Sequence, residues 1–178
     1  MHFRATSLLM IATLGFLAPA GANAPGNSAQ SIWLDAHNQA RADFGSVPLR
    51  WSDDLSREAQ QWAKKLAREQ RMRHASIDER NGRGENLWMG TRGYFTPNQM
   101  IDGFVSEKKH FVPGRFPQVS RTGRWSDVGH YTQIVWPETR EMGCALAPGV
   151  QYEILVCRYW PAGNRMGAVI APARVANR

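Results

Sequence analysis

Cysteine is scarce in this sequence: only Cys144 and Cys157 occur among its 178 residues. Neither belongs to a C-x-x-C motif, and two isolated cysteines do not complete a zinc site. The sequence also lacks G-x-S-x-G, Walker A and H-E-x-x-H motifs, and residues 82–84 give only the start of a G-x-G-x-x-G motif. No sequence motif therefore assigns a nucleotide-binding, serine hydrolase or metalloprotease function.

Long hydrophobic runs are also absent, and the one marked apolar stretch comprises residues 7–18, after Arg4. This stretch is too short to cross a bilayer, which requires roughly 20 apolar residues. We predict a signal peptide at residues 1–24, cleaved within residues 20–24, where the A-x-A pattern occurs. A polar leader at residues 25–30 follows. The mature protein is expected to be secreted or periplasmic (extracytoplasmic), and an uncleaved anchor is the alternative.

Positive charge exceeds negative charge, giving a formal net charge of +7. With 43% hydrophobic and 21% charged residues, the composition is that of an ordinary globular protein, and the length suits one domain. The excess positive charge favours anionic surfaces such as a membrane or a wall polymer. Aromatic residues are not interleaved with basic residues as in RNA-stacking platforms, so we expect no specific nucleic acid partner. We expect a monomer.

Hydrophobic periodicity predicts three helices. Residues 32–44 have helical spacing, with His37 as a structural residue of that helix, and a second helix is expected to begin after Ser52 as its N-cap. A third helix is expected to begin at Thr96, with a buried face that reaches Lys108.

Extended segments are predicted mainly in the second half of the chain. Residues 85–89 and residues 131–136 are expected to be extended, and residues 147–150 form a turn between two apolar runs. A hairpin at this turn would place Cys144 opposite Cys157, so a disulfide is expected, with free buried thiols as the alternative. Helices followed by strands indicate an α+β layered domain.

Histidine and glutamate supply the candidate chemistry, but no local spacing joins His74, Glu85, Glu107 and His130 into a site. Glu107 and His110 are three residues apart, so on a helix both could face one ion. Di-metal bundle sites need a second such pair, which leaves an ordinary helix-surface interaction as the alternative.

Longer strings in this sequence resemble the signatures of the CAP superfamily, which contains cysteine-rich secretory, antigen 5 and pathogenesis-related proteins. The resemblance covers a domain at residues 31–167, with a C-terminal tail at residues 168–178, and is that of a minimal bacterial-type member. The matching strings occur in the family's order: residues 34–41 (LDAHNQAR), 47–51 (VPLRW), 84–87 (GENL), 129–136 (GHYTQIVW), 143–145 (GCA) and 156–164 (VCRYWPAGN).

The resemblance implies a three-layer α-β-α sandwich with a central antiparallel sheet and a large cleft. It also implies that two histidines and two glutamates line this cleft and that the histidines hold a divalent cation, often zinc. Position by position, the metal ligands would be His74 and His130, and the cleft carboxylates would be Glu85 and Glu107. Family members are linked to sterol and lipid binding, which implies a lipid, sterol-like or cell-wall ligand.

Three functional hypotheses remain. The first is a secreted binding module whose cleft captures a small apolar or wall-derived ligand, with the metal supporting the site. The second is a zinc-assisted hydrolase with Glu85 or Glu107 as general base, since two imidazoles leave open positions on a tetrahedral zinc ion. The third is a basic surface protein that binds an anionic polymer by charge alone. No triad or three-ligand metal centre is visible, which favours binding over catalysis.

Overall fold

The first helix in the computed structural model of this protein is α1, Ala29–Phe44, and the structure describes residues 28–172. The Ser28 hydroxyl accepts a hydrogen bond from Ser31 N at 3.2 Å and caps the first turn. The helix ends before Gly45, at the predicted boundary. The predicted signal peptide and the first residues of the polar leader lie outside the described residues.

Helix α2, Asp53–Glu69, follows the two-residue strand β1, Arg50–Trp51. Its predicted N-cap is confirmed, because the Ser52 hydroxyl accepts a hydrogen bond from Leu55 N at 3.4 Å. The helix ends at Gln70, which adopts the left-handed conformation with φ 48°. One apolar stripe of the helix is buried, and it determines which side of α2 packs on the sheet.

Helix α3, Pro97–Val105, begins with a capping box on Thr96, which confirms the predicted start. The chain then tightens into a 3-10 helix, Ser106–His110. The prediction that Lys108 lies on the buried face is wrong, because the tighter turn does not continue the periodicity of α3. Lys108 is exposed, and its Nζ lies 3.2 Å from Asp43 Oδ2.

Helix α4, Gly129–Ile134, replaces the extended segment predicted at residues 131–136, so that prediction is wrong. The aromatic and β-branched residues of this segment are typical of strands. However, Tyr131, Ile134 and Trp136 are all buried, so packing on several sides decides the backbone conformation here. One and a half turns are also too short to give a helical periodicity in the sequence.

The central sheet has the strand order β1-β4-β5-β2. Its three long strands are β2 (Gly84–Thr91), β4 (Glu141–Pro148) and β5 (Tyr152–Trp160), and they are antiparallel as predicted. Strand β1 pairs with β4 in parallel at the edge, so the complete sheet is mixed. The predicted hairpin and disulfide are both confirmed: Cys144 is opposite Cys157, and their sulfurs are bonded.

Successive residues of β5 point alternately to two helical layers. Helices α1, α3 and α4 cover one face of the sheet, and α2 covers the other. The first face buries Leu155, Cys157 and Tyr159, whereas the second buries Ile154 and Val156. This arrangement is the expected three-layer α-β-α sandwich.

Arg41 of α1 is fully buried and ties this helix to the segments around α4. Burial lowers the pKa of its guanidinium to about 10, because the charged form loses hydration. The side chain compensates with four hydrogen bonds of 2.6–3.0 Å to the backbone carbonyls of Val47, Ile134, Trp136 and Thr139.

A second, small sheet pairs β3 (Gly114–Arg115) with β6 (Val169–Ile170). The sequence prediction assigns residues 169–170 to the C-terminal tail, and here they pack on the domain with Ile170 fully buried. Within residues 28–172, none of the helices has the length and apolar character needed to cross a membrane.

Candidate functional site

The four side chains expected to line one cleft come from four separate parts of the fold. His74 lies in the loop after α2, Glu85 on β2, Glu107 in the 3-10 helix and His130 on α4. The structure joins them as two pairs. His74 Nδ1 donates a hydrogen bond to Glu85 Oε1 at 2.6 Å, and His130 Nδ1 donates to Glu107 Oε1 at 2.6 Å.

The Glu85 side chain is fully buried and is contacted from three directions. Besides His74, its Oε1 accepts a hydrogen bond from Ala75 N at 3.0 Å. Its Oε2 lies 3.0 Å from Arg158 Nη2, an ion pair without hydrogen-bond geometry. The register of β2 and β5 places Glu85 directly opposite Arg158. The buried cation therefore compensates the carboxylate that orients His74.

Burial lowers the pKa of Arg158 because its charged form loses hydration, and the nearby Glu85 carboxylate opposes that change. Removing either partner would leave a buried charge without compensation, which is strongly unfavourable. The pair therefore constrains both side chains to this position beside the cleft.

The Glu107 carboxylate binds both the ring and the backbone of α4. Its Oε2 accepts hydrogen bonds from His130 N at 2.9 Å and Tyr131 N at 3.0 Å, in addition to the bond from the His130 ring. The His130 ring also stacks on Phe104, with centroids 4.7 Å apart and planes 20° apart. Within residues 28–172, His110 forms no ion pair with Glu107, whose carboxylate is bonded to His130.

A cleft with a volume of about 620 Å³ is lined by His74, Glu85 and His130, so these three predicted residues do come together. Glu107 is not part of this lining in the described chain, and it reaches the cleft only through His130. The rest of the lining combines polar and apolar groups: it includes Arg80, Arg83, Asn86, Ser126, Gln133 and Asn164, the apolar side chains of Ile77, Trp125 and Ala162, and four glycines.

A series of buried hydrogen bonds connects the cleft to α1. Asn86 lines the cleft, and its Nδ2 donates to His130 O and to Tyr159 Oη, both at 3.1 Å. Tyr159 Oη donates to His37 Nε2 at 2.7 Å, and His37 Nδ1 donates to Trp33 O at 2.7 Å. Each ring nitrogen of His37 is therefore used inside the core, which confirms its prediction as a structural residue.

Burial lowers the pKa of His37 to about 4, because protonation would place a charge in the core. The same burial raises the pKa of Tyr159 well above its ordinary value, so its hydroxyl stays protonated and can donate. Both groups are neutral at physiological pH, as the hydrogen-bond directions require.

Sequence reasoning missed several residues of the site, although each lies in one of the matching strings. Arg158 and Asn86 were missed because their roles depend on the pairing of β2 with β5. Asn164 was missed because its partners are distant in sequence: its Nδ2 donates to Gly129 O at 2.8 Å and its Oδ1 accepts from Thr132 Oγ1 at 2.7 Å.

The two imidazoles are the groups best suited to hold a metal ion. Within residues 28–172 the Nε2 atoms of His74 and His130 form no hydrogen bond, and a carboxylate on the other ring nitrogen is the usual support of a metal-binding histidine. The same described residues contain no group of three or more His, Cys, Asp or Glu that could hold a metal. A divalent cation held by these two rings would therefore have two protein ligands and open coordination positions.

Comparisons of family profile, sequence and structure all match this chain to the same group of proteins. The profile of the family described as "CAP: Cysteine-rich secretory protein family" matches residues 34–159. Pathogenesis-related protein 1C of Nicotiana tabacum is 32% identical over 164 residues, which cover 91% of this chain and 92% of that protein. Golgi-associated plant pathogenesis-related protein 1 of Homo sapiens is 34% identical over 132 residues, covering 74% and 81% respectively. The crystal structure of NaASP2 with Zn2+ matches with a TM-score of 0.70 and 25% identity, covering 85% of this chain and 90% of that one.

Proposed function

This chain belongs to the CAP (cysteine-rich secretory protein) family, and on that basis we propose that it is an exported binding protein whose cleft holds a divalent cation and a small ligand. We propose zinc as the cation and His74 and His130 as its ligands. The observation that carries this proposal is that a carboxylate binds Nδ1 of both rings, while Nε2 of each ring forms no hydrogen bond within residues 28–172. The solved structure of NaASP2 with Zn2+ supports the choice of metal.

The lining of the cleft combines exposed apolar side chains, Ile77 and Trp125, with cationic side chains, and this combination suits a wall-derived ligand that contains sugar rings. Arg80 supplies positive charge, whereas Arg83 already pairs with Glu58 Oε2 at 3.5 Å. The amide groups of Gln133 and Asn164 are bonded within the protein and shape the cleft wall. Trp125 is 41% exposed and can stack on the apolar face of a sugar ring. When bound, the cation would supply a Lewis-acidic contact for a ligand oxygen.

A hydrolase is the less supported alternative. A general base must accept a proton from a water beside the substrate. The Glu85 carboxylate is buried against Ala75 N, His74 and Arg158, and the Glu107 carboxylate already accepts three hydrogen bonds. Both carboxylates are therefore better suited to orient the imidazoles than to activate water.

Zinc titration of the metal-free protein by calorimetry tests the cation site. We expect one zinc ion per chain, and we expect the H74Q/H130Q variant to lose this binding. The variant E107Q is expected to bind zinc about 10-fold more weakly, because a supporting carboxylate typically contributes that much. The matched control H110Q changes a histidine outside the cleft and should bind as the wild type does. Equal zinc affinity in H74Q/H130Q and wild type would refute the proposal.

Titration with soluble cell-wall oligosaccharides, with and without zinc, tests the ligand. A cleft ligand should protect Trp125 from fluorescence quenching and should bind more weakly to R80Q/R83Q. Binding of an anionic polymer by the net charge of +7 alone is the remaining alternative. That interaction would fall steeply between low and moderate salt and would not respond to H74Q/H130Q.

A further inference from the structure

Glu153 is a buried carboxylate outside the cleft. It is the second residue of β5, it is 6% exposed, and it does not line the cleft. Its Oε1 is enclosed by protein and forms no hydrogen bond within residues 28–172. In the same part of the chain no lysine, arginine or histidine lies within 4.0 Å of this carboxylate. Burial of an unpaired charge is unfavourable, and buried polar groups in native proteins almost always have a partner. A missing partner is therefore to be sought at Glu153.

The strand register determines what surrounds this carboxylate. Glu153 lies two residues before Leu155, so it points to the same face of the sheet, the one that α1, α3 and α4 cover. On that face it is directly opposite Gly90 of β2. Side chains of directly paired residues are roughly 5 Å apart at Cβ. The space beside the Glu153 side chain is therefore the space over Gly90.

Aromatic rings occupy the space over Gly90. A Cβ atom at this position would collide with the Trp88 ring and lie 2.8 Å from Phe95 Cε2, so these rings require glycine here. The Trp88 and Phe95 ring centroids are 5.1 Å apart with planes at 81°, and the Tyr94 and Phe95 centroids are 5.1 Å apart with planes at 74°. Because neighbouring rings are nearly perpendicular, the cluster turns π faces in more than one direction. We call Trp88, Tyr94, Phe95 and Glu153 together the Glu153 corner.

The Glu153 corner is accessible from solvent. Tyr94 is 76% exposed, and Trp88 and Phe95 are half-buried. Glu153 Oε2 also forms no hydrogen bond in the described residues, and unlike Oε1 it is not fully enclosed. The first cation after β2, Arg92, is used elsewhere, since its Nη1 donates to Gly149 O at 3.3 Å. A ligand at the aromatic rings can therefore reach one oxygen of the carboxylate.

We propose that the Glu153 corner binds a primary alkylammonium group, which belongs to a free amine or to a lysine side chain. Its N–H groups donate to the Glu153 carboxylate, and its charge lies against the rings of Trp88 and Phe95. Charged donors form the strongest hydrogen bonds to carboxylates, and aromatic faces attract cations. An anion would be repelled here, and an uncharged apolar ligand would leave the carboxylate without a partner. None of these residues lines the cleft, so this proposal and the proposed function can fail separately.

Titration with n-butylammonium at constant ionic strength, followed through the indole N–H signal of Trp88 in nitrogen–proton NMR spectra, tests the proposal. The signal is assigned by its absence from W88F. We expect a saturable shift, with 1-butanol, the uncharged analogue of the same length, binding about tenfold more weakly. E153Q keeps the shape of the side chain and should bind butylammonium no better than 1-butanol. The control E138Q neutralises an exposed carboxylate near the other end of β4 and should behave as wild type. Equal wild-type affinities for the two probes, or unchanged butylammonium binding in E153Q, would overturn the proposal.

Further variants separate binding from a structural role. F95L removes a π face and should weaken butylammonium binding about threefold while leaving 1-butanol unchanged. E153Q should be at least as stable as wild type in urea, because it removes a buried unpaired charge. If Glu153 served only to pair with Arg92, E153Q and R92Q would lose equal stability and R92Q/E153Q would lose no more, and that result would overturn the proposal.

Two last comparisons locate the ligand and its source. H74Q/H130Q should bind butylammonium as wild type does, and loss of binding in this variant would assign the amine to the cleft and overturn the proposal. Nα-acetyl-lysine methylamide presents the same ammonium group on a peptide unit. Tighter binding of this compound than of butylammonium would support a lysine side chain as the ligand, and weaker binding would support a free amine.

Discussion

The neutral, buried state of His37 predicts how this protein responds to acid. In the unfolded chain an ordinary histidine takes up its proton near pH 6.5, whereas burial lowers the folded pKa of His37 to about 4. Between these values the unfolded state binds more protons than the folded state. The free energy of unfolding therefore rises with pH through this window and is lost as the pH falls from 6.5 towards 4.

The size of this effect follows from the width of the window. One pH unit of difference between the folded and unfolded pKa corresponds to about 1.4 kcal/mol, so His37 accounts for a loss of about 3 kcal/mol by pH 4. This is a large part of the 5–15 kcal/mol by which typical domains are stable. Carboxylates contribute to the free energy of unfolding in a lower pH range. A hydrogen bond from Gln39 lowers the pKa of Asp43, and a hydrogen bond from Thr122 lowers the pKa of Asp127. Their contribution is lost only as the pH falls below about 4.

Urea unfolding at a series of pH values between 7.5 and 4, followed by tryptophan fluorescence, measures the effect. EDTA is present throughout because metal binding to the cleft histidines would add its own pH dependence. H37Q keeps an acceptor for the Tyr159 hydroxyl but does not titrate. It should be less stable at pH 7 and should show a flatter dependence between pH 6.5 and 4. H110Q, a matched histidine substitution, should keep the wild-type slope. Parallel curves for H37Q and wild type would refute the reasoning.

Three other perturbations test the fold. Replacing both Cys144 and Cys157 by serine should lower the free energy of unfolding by about 3 kcal/mol, the entropic estimate for a short closed loop, and reduction of the wild type under urea should give the same loss. R41M should cost about 3 kcal/mol or more by urea titration, because it removes four hydrogen bonds to backbone carbonyls, and a loss below 1 kcal/mol would contradict the assigned hydrogen bonds. G143A should lower the melting temperature, because its methyl group would lie 2.5 Å from the backbone oxygen of Ser52, just before α2. G103A should raise the melting temperature, because it removes a glycine from α3 and its methyl group would lie 3.8 Å from its nearest neighbour, the Trp88 ring.

The helix boundaries could be predicted because their signals are local. Ser52 and Thr96 bond to backbone N–H groups three residues away, and that bond requires only the two ends of one turn. The disulfide could be predicted for a similar reason, because a hairpin turn sets the pairing of nearby residues. Lys108 shows the limit of this reasoning, since a change to a 3-10 helix leaves no clear mark in the sequence.

The site could be predicted only in part. The resemblance supplied His74, Glu85 and His130, which the structure brings to one cleft, but it did not say which carboxylate supports which ring. That assignment depends on the register of β2 against β5 and on the position of the 3-10 helix beside α4, both of which are tertiary. The role of Arg158 follows from the same register, because only the paired strands bring it next to Glu85.

The buried position of the disulfide determines when a thiolate can reach it. Cys144 and Cys157 are 2% and 0% exposed, in the middle of the two strands they join. A thiolate must reach a sulfur atom to exchange with it, so attack has to wait until β4 and β5 separate. The lifetime of this bond in a reducing environment is therefore governed by how often the sheet opens, and any mutation that loosens the sandwich shortens it without touching either cysteine.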